Sequence, residues 1–356
     1  MTWIEKSGDK THALRFAVYS KRGWSEAKTV VEGERLLVNW ADFPSLVAMP
    51  DGTLASHWLV KSGPEGHAYD VHIARSTDGG KSWSKAVVPH RDGTKTDHGF
   101  VSMLPWSAGR VAAVWLDGRN FKQGSHESPE SSINEMTLRS AMIDPKGLVT
   151  EEDLLDSRVC DCCQTSAALT SEGAIVVYRD RSEKEIRDIS VVRFTKGRWT
   201  EPKMLSADGW EIHGCPVNGP SVSADGKRVA VAWFTAAGDT PRVKVVFSND
   251  AGATFGQPIQ ADEATTVGRV DVLMMADGTA FVSWLERTAR GGEVKVRQIS
   301  PNGSRGKAIA VAESSAARVS GFPQMARAGN EVIFAWTDPS NPSRVRTAVG
   351  NVVSSR

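Results

Sequence analysis

This chain of 356 residues lacks any apolar run approaching the roughly 18 to 20 residues that a membrane-spanning helix needs. Its opening, "MTWIEKSGDKTHALRF", has no apolar h-region and does not read as a secretory leader. The expected location is therefore the periplasm or outside the cell, as a mature form, with the cytoplasm as the other option. Excess charge is missing too: 43 basic side chains face 42 acidic ones, for a net charge of +1. That balance points away from nucleic acid and from anionic membrane surfaces as partners. Tyrosine occurs only three times, as Tyr19, Tyr69 and Tyr178. Four cysteines are too few for a disulfide scaffold, and a chain of this length needs none to build a core. No stretch shows a sustained 3.6-residue apolar period, which excludes a helical architecture.

What is present is a repeat. A short apolar stretch, a turn glycine and a second apolar run ending in an aromatic residue recur six times, as two strands joined by a tight hairpin would. The glycines are Gly52, Gly109, Gly173, Gly226, Gly278 and Gly329, spaced 51 to 64 residues apart. Trp58, Trp115, Tyr178, Trp233, Trp284 and Trp336 follow them. A period near fifty accommodates a four-stranded sheet, and an array of such sheets predicts an all-β, six-bladed β-propeller in one domain. The segment at about residues 10–35 is expected to complete the last blade.

A more specific mark follows the third strand of two units. In Ser76-Thr77-Asp78-Gly79-Gly80-Lys81-Ser82-Trp83 the aspartate can cap its own turn, the glycines permit positive φ and the tryptophan can pack back. Ser248, Asp250, Gly252 and Phe255 repeat the pattern, with phenylalanine in the tryptophan place. These turns resemble the Asp-box, or BNR repeat, of the sialidase superfamily, and the resemblance extends over essentially the whole chain. It implies a propeller whose ligand site lies on the face opposite the boxes.

In such a propeller the starts of the inner strands and the loops after the second strands share one face. Those places hold Trp40, Asp42, Asp97, His98, Asn218, Arg269, Asp271 and Arg318, and in the loops His67, Tyr69, Asp70, Asp117, Arg119, Arg179, Asp180, Arg181, Arg187, Asp188 and Glu286. The resemblance implies three arginines gripping a carboxylate, a Tyr/Glu nucleophile pair and an aspartate acid/base. Here Asp42, in "ADFPSL", stands where the first arginine belongs, and no tyrosine opens the last blade, at "RVSGFPQM". Sialidase activity is therefore not expected. A glycoside hydrolase or glycan-binding protein of that type, using Asp42, His98, Arg119, Arg179, Arg181, Arg187, Asp188, Arg269 and Asp271, is the alternative.

The thiols are the other signal. "RVCDCCQT" holds Cys160, Cys162 and Cys163, and "EIHGCPVNGP" holds Cys215 beside His213. Both segments open adjacent blades, so the sulfurs are expected to meet. Inert core cysteines, disulfides and a metal site compete. The favoured reading is a soft ion, Cu(I) or else zinc, held by Cys160, Cys162, Cys163, Cys215 and His213, because Cu(I) accepts two or three thiolates in compact arrangements. In an extended segment Cys160 and Cys162 would point one way and Cys163 the other. The last reading is a redox or structural disulfide propeller.

Overall fold

The computed structural model describes residues 1–63, 68–121, 135–263 and 265–352, so His67 lies outside the described residues. Besides three short 3-10 turns, every regular element among them is a β-strand. Two compact units divide the chain, Met1–Asp161 and Cys162–Arg356.

Among its described residues the first unit contains three larger antiparallel sheets, besides the two-stranded hairpin Tyr19–Ser20 and Gly23–Trp24. Sheet 1 joins Thr2–Lys6, His12–Phe16 and Lys28–Gly33. Sheet 2 joins Ser45–Ala48, Leu54–Lys61 and Tyr69–Ser76. Sheet 3 joins His98–Pro105, Val111–Asp117, Met136–Ile143 and Val149–Val159. Sheets 1 and 2 bury Leu14, Phe16, Val30, Trp58 and Ala74 against one another, and sheets 2 and 3 do the same with Val71, Ile73, Val111 and Trp115.

The second unit holds four more sheets. Sheet 4 runs Ser166–Thr170, Gly173–Arg179 and Ile189–Thr195, and two short strands, Arg198–Trp199 and Lys203–Ser206, share its fourth place. Sheet 5 runs Ser221–Asp225, Arg228–Thr235, Arg242–Ser248 and Ile259–Gln260, and sheet 6 runs Thr266–Met274, Ala280–Thr288, Gly291–Ile299 and Ile309–Ser314. Sheet 7 consists of Gln324–Ala328, Glu331–Asp338 and Arg344–Asn351. Successive sheets again share apolar clusters, such as Ile175, Val191, Val231 and Trp233 between sheets 4 and 5.

The hairpin signal reads correctly at its six places. Gly52 and Gly278 turn with φ of 85° and 87°, a region that side chains with a Cβ avoid. Trp115, Tyr178 and Trp233 are fully buried on the second strands of their sheets, which covers both strand faces and explains the near-continuous apolar runs.

The expected count of six is corrected to seven. Residues 10–35 do not add to sheet 7; they pair with Thr2–Lys6 as sheet 1. A signature for this sheet was present, but it did not depend on a glycine. Trp115 Nε1 donates to Asp117 two residues on (2.7 Å) and Trp284 Nε1 to Glu286 (3.2 Å), and Trp3 Nε1 donates to Glu5 in the same way (2.9 Å). Each indole also faces a cation across the hairpin: Trp3 opposite Arg15, Trp115 opposite Arg139, Trp284 opposite Lys295 and Trp336 opposite Arg346. Thr2–Lys6 is therefore a second-strand equivalent whose aromatic stands at residue 3.

The two Asp-box-like turns fold alike. Ser76 Oγ accepts from Gly80 N–H, and Asp78 accepts from Ser76 Oγ and from the backbone and hydroxyl of Ser82. Ser248, Asp250, Gly252 and Thr254 repeat these bonds. Trp83 packs edge-on to Phe16 of sheet 1 at 6.1 Å, and Phe255 packs beside Ile175 of sheet 4. Each turn thus pins its sheet to the preceding one.

Candidate functional site

The starts of the first strands carry most of the residues singled out in the sequence. Three residues before a strand-opening serine stand Asp42, Cys163 and Asn218, in "DFPS", "CQTS" and "NGPS". Two of the three do the same work. Asp42 Oδ1 accepts from Phe100 N–H (2.9 Å) and Asn218 Oδ1 from Arg269 N–H (2.7 Å), each tying its sheet to the next. Phe100 and Arg269 have φ of 52° and 54°, which turns those amides toward the acceptor, and the glycine before each leaves room for it. A Cβ at Gly99 would collide with the Asp42 carboxylate, and one at Gly268 with Asn218. Further along, Ser166 Oγ accepts from Val222 N–H, Ser221 Oγ from Val272 N–H and Asp271 Oδ2 from Met325 N–H (2.6 Å).

These aspartates are buried where charge is costly. Burial pushes Asp42 up to about 7, against the Phe100 amide, and Asp271 up to about 6, against Ser221 and two amides. Burial likewise lifts Asp97 to about 8, with Asp42 and Asp161 adding to it, and Tyr69 beside them is raised well above its ordinary value.

The arginines are turned inward. Buried Arg179 donates to the carbonyls of Asn218 (3.0 and 2.8 Å), Arg187 (2.5 Å) and Phe234 (2.7 Å), and its guanidinium stacks 4.8 Å from the Trp210 ring. Arg181 forks onto Glu185, which Arg187 also meets at 2.9 Å. Arg269 donates to Ala317 O, Ser320 Oγ and Gly321 O, and burial, with Arg318 nearby, lowers it to about 10. Asp188 accepts from the amides of Gly209 and Trp210.

The thiol segment is a turn, not an extended strand. Val149–Val159 ends just before it, and a turn at residues 161–163 curls the chain so that the sulfurs of Cys160, Cys162 and Cys163 lie within 4.8 Å of one another. The expected split, with Cys163 on the opposite side, is corrected because the alternation of an extended strand stops at Val159. Cys160 and Cys163 are buried and stand outside the disulfide, whereas Cys162 is bonded to Cys215, which is exposed. Gln164 Oε1 accepts from Gly219 N–H and fixes the register between the two segments. The His213 side chain is 75% exposed, pairs with Glu211 at 3.2 Å and is not among the groups that converge with the sulfurs.

A second cluster was only partly legible. His98, fully buried, stacks on His90 with ring centroids 3.7 Å apart. Asp92 Oδ2 lies 3.2 Å from His98 Nε2 and 3.5 Å from His90 Nδ1, and Asp117 Oδ1 lies 3.8 Å from His98 Nε2. Arg119 forks onto Asp117 (2.7 and 2.8 Å) and reaches Glu152 (2.8 Å), which Arg139 approaches at 3.7 Å. The sequence indicated His98, Asp117 and Arg119, but His90, Asp92 and Glu152 lie outside the first-strand starts and second-strand loops. Their signal is "HRDGT", where Asp92 Oδ1 accepts from the Thr94 amide and so turns its other oxygen inward.

Among the described residues no helix is long and apolar enough to cross a membrane. No family model matches the chain, and no curated protein matches it. Among solved structures it is similar to the intramolecular trans-sialidase from Ruminococcus gnavus, at a TM-score of 0.54 and 13% identity, covering 87% of this chain and 94% of that one. It is also similar to the NanB sialidase from Streptococcus pneumoniae, at 0.52 and 10% identity, covering 93% and 79%. A third likeness is to the Trypanosoma rangeli sialidase, at 0.52 and 10% identity, covering 91% and 55%. Identity this low carries the backbone alone, and with the sheet pattern above it establishes a sialidase-type β-propeller fold of seven blades with three or four strands each.

Proposed function

We propose that this propeller handles a soft metal ion, Cu(I) in preference to zinc, at its thiol turn, and that it works in an exported, oxidising setting. The observation that carries the reading is the convergence of the sulfurs of Cys160 and Cys163 within 4.8 Å, beside the Cys162–Cys215 bond. Thiolates sharing one ion at metal–sulfur distances of about 2.3 Å cannot be more than about 4.6 Å apart, so little movement is required. With Cys162 bonded to Cys215, the buried pair Cys160 and Cys163 offers the two thiolates that satisfy Cu(I) but leave zinc short of its four ligands. An intact disulfide also suits an oxidising compartment.

The test is copper and free-thiol content of protein purified without chelators. About one copper per chain is expected, together with two free thiols after the metal is removed, and the copper should disappear in Cys160→Ser and in Cys163→Ser. Copper retained by both variants, or absent from the parent, overturns the reading. In the second case the Cys162–Cys215 bond, exposed at Cys215, favours a thiol–disulfide role instead. Glycan hydrolysis ranks lower because Arg179 and Arg269 spend their donors on backbone carbonyls and Arg181 on Glu185. Turnover of a fluorogenic sialoside that survives the cysteine changes but is lost in Arg181→Ala or Arg187→Ala would restore it.

A further inference from the structure

We propose a second metal site, separate from the thiols, in which His98, Asp92 and Asp117 hold a divalent cation of the zinc class. The imidazole is prepared for it. His98 Nδ1 faces the carbonyls of Thr96 (3.2 Å) and Tyr69 (3.4 Å), both acceptors, so Nδ1 carries the proton and the Nε2 lone pair points toward Asp92 and Asp117. Metal-bound histidines are held in this way, the second nitrogen donating to a carbonyl.

The donor atoms converge without satisfying one another. His98 Nε2 and Asp92 Oδ2 are both buried and complete no hydrogen bond although they are 3.2 Å apart, and Asp92 Oδ2 meets Arg119 Nη2 and His90 Nδ1 only at 3.5 Å. Asp92 and His98 side chains are 8% and 0% exposed, so solvent does not make good the loss. In a tetrahedral site with bonds of about 2.1 Å, neighbouring donors are about 3.4 Å apart. The observed 3.2 Å to Asp92 and 3.8 Å to Asp117 bracket that value.

Charge points the same way. Four carboxylates, Asp70, Asp92, Asp117 and Glu152, lie in the cluster with three guanidiniums, Arg119, Arg139 and the more exposed Arg91. Arg119 braces Asp117 from the outer side, and His90, whose Nε2 accepts from Val71 N–H, turns its protonated Nδ1 to Asp92. The cluster is one positive charge short, and a cation among the His98, Asp92 and Asp117 donor atoms would supply it. The rival occupant is a second proton on His98.

Zinc equilibration followed by elemental analysis separates the two, carried out on the Cys160→Ser/Cys163→Ser protein so that the thiol reading cannot contribute. About one zinc per chain is expected, with at least a tenfold loss of affinity in His98→Gln and in Asp92→Asn and no change in His213→Gln. Because the buried variants could fail to fold, nitrogen-15 histidine NMR of the unsubstituted site supplies an independent reading. Zinc should shift one Nε2 resonance to the metal-bound range. A His98 protonated at both nitrogens with zinc present, or zinc binding unchanged in His98→Gln, overturns the site.

Discussion

At the scale of single residues, Asp42 is the instructive case. The resemblance in the sequence implies an arginine at this place, yet Asp42 braces one sheet to the next as Asn218 does. Its folded-state value of about 7 lies above the unfolded value of about 3.9. The resulting stabilisation is therefore full below about pH 4 and is lost as the pH rises through 7. Asp42→Asn keeps the acceptor for Phe100 and removes the titration. It is expected to be more stable than the parent at pH 8 by about 2 kcal/mol and nearly neutral at pH 4, as read from denaturant midpoints at the two pH values. Gly99→Ala tests the same brace from the other side. It drives a Cβ into the Asp42 carboxylate and should cost about 2 kcal/mol or more by the same measurement.

At the scale of elements, the Asp-box-like turns act as staples between sheets, and two adjacent glycines separate backbone strain from packing. Gly79 and Gly80 both have positive φ, but a Cβ at Gly79 meets nothing, whereas one at Gly80 strikes the Phe16 ring. Gly79→Ala should cost about 1 kcal/mol and Gly80→Ala at least about twice that. Equal losses in thermal denaturation would show that the turn does not pin sheet 2 to sheet 1. The hairpins around these turns were legible because a glycine with positive φ and a buried aromatic each leave a local trace in the sequence. Sheet 1 carries no hairpin glycine of this kind, and its trace is the indole–carboxylate pair of Trp3 and Glu5. The thiol turn escaped for a different reason: two-residue alternation holds only while the strand continues, and this strand ends at Val159.

At the scale of the whole molecule, the extra sheet is expected to be indispensable. Phe16, Leu14 and Val30 cover Trp58, Ala74 and the Trp83 side of sheet 2, so removing residues 1–33 would expose a continuous apolar face. Such a truncated protein should be poorly soluble and bind a hydrophobic dye strongly. A soluble, cooperatively melting product would instead make sheet 1 an ornament of the fold.

The sequence by itself determined the all-β architecture, six of the seven hairpin units and the closeness of the two cysteine segments, because each depends on local periodicity or on repeats in register. Tertiary structure alone decided which sulfurs bond, that His213 points to solvent while His98 is buried among carboxylates, and that Arg179 and Arg269 face carbonyls of their own chain while Arg181 and Arg187 meet Glu185. Those outcomes depend on where side chains point and on what surrounds them after residues dozens of positions apart are packed together. Neither orientation nor burial is written in residue type or spacing.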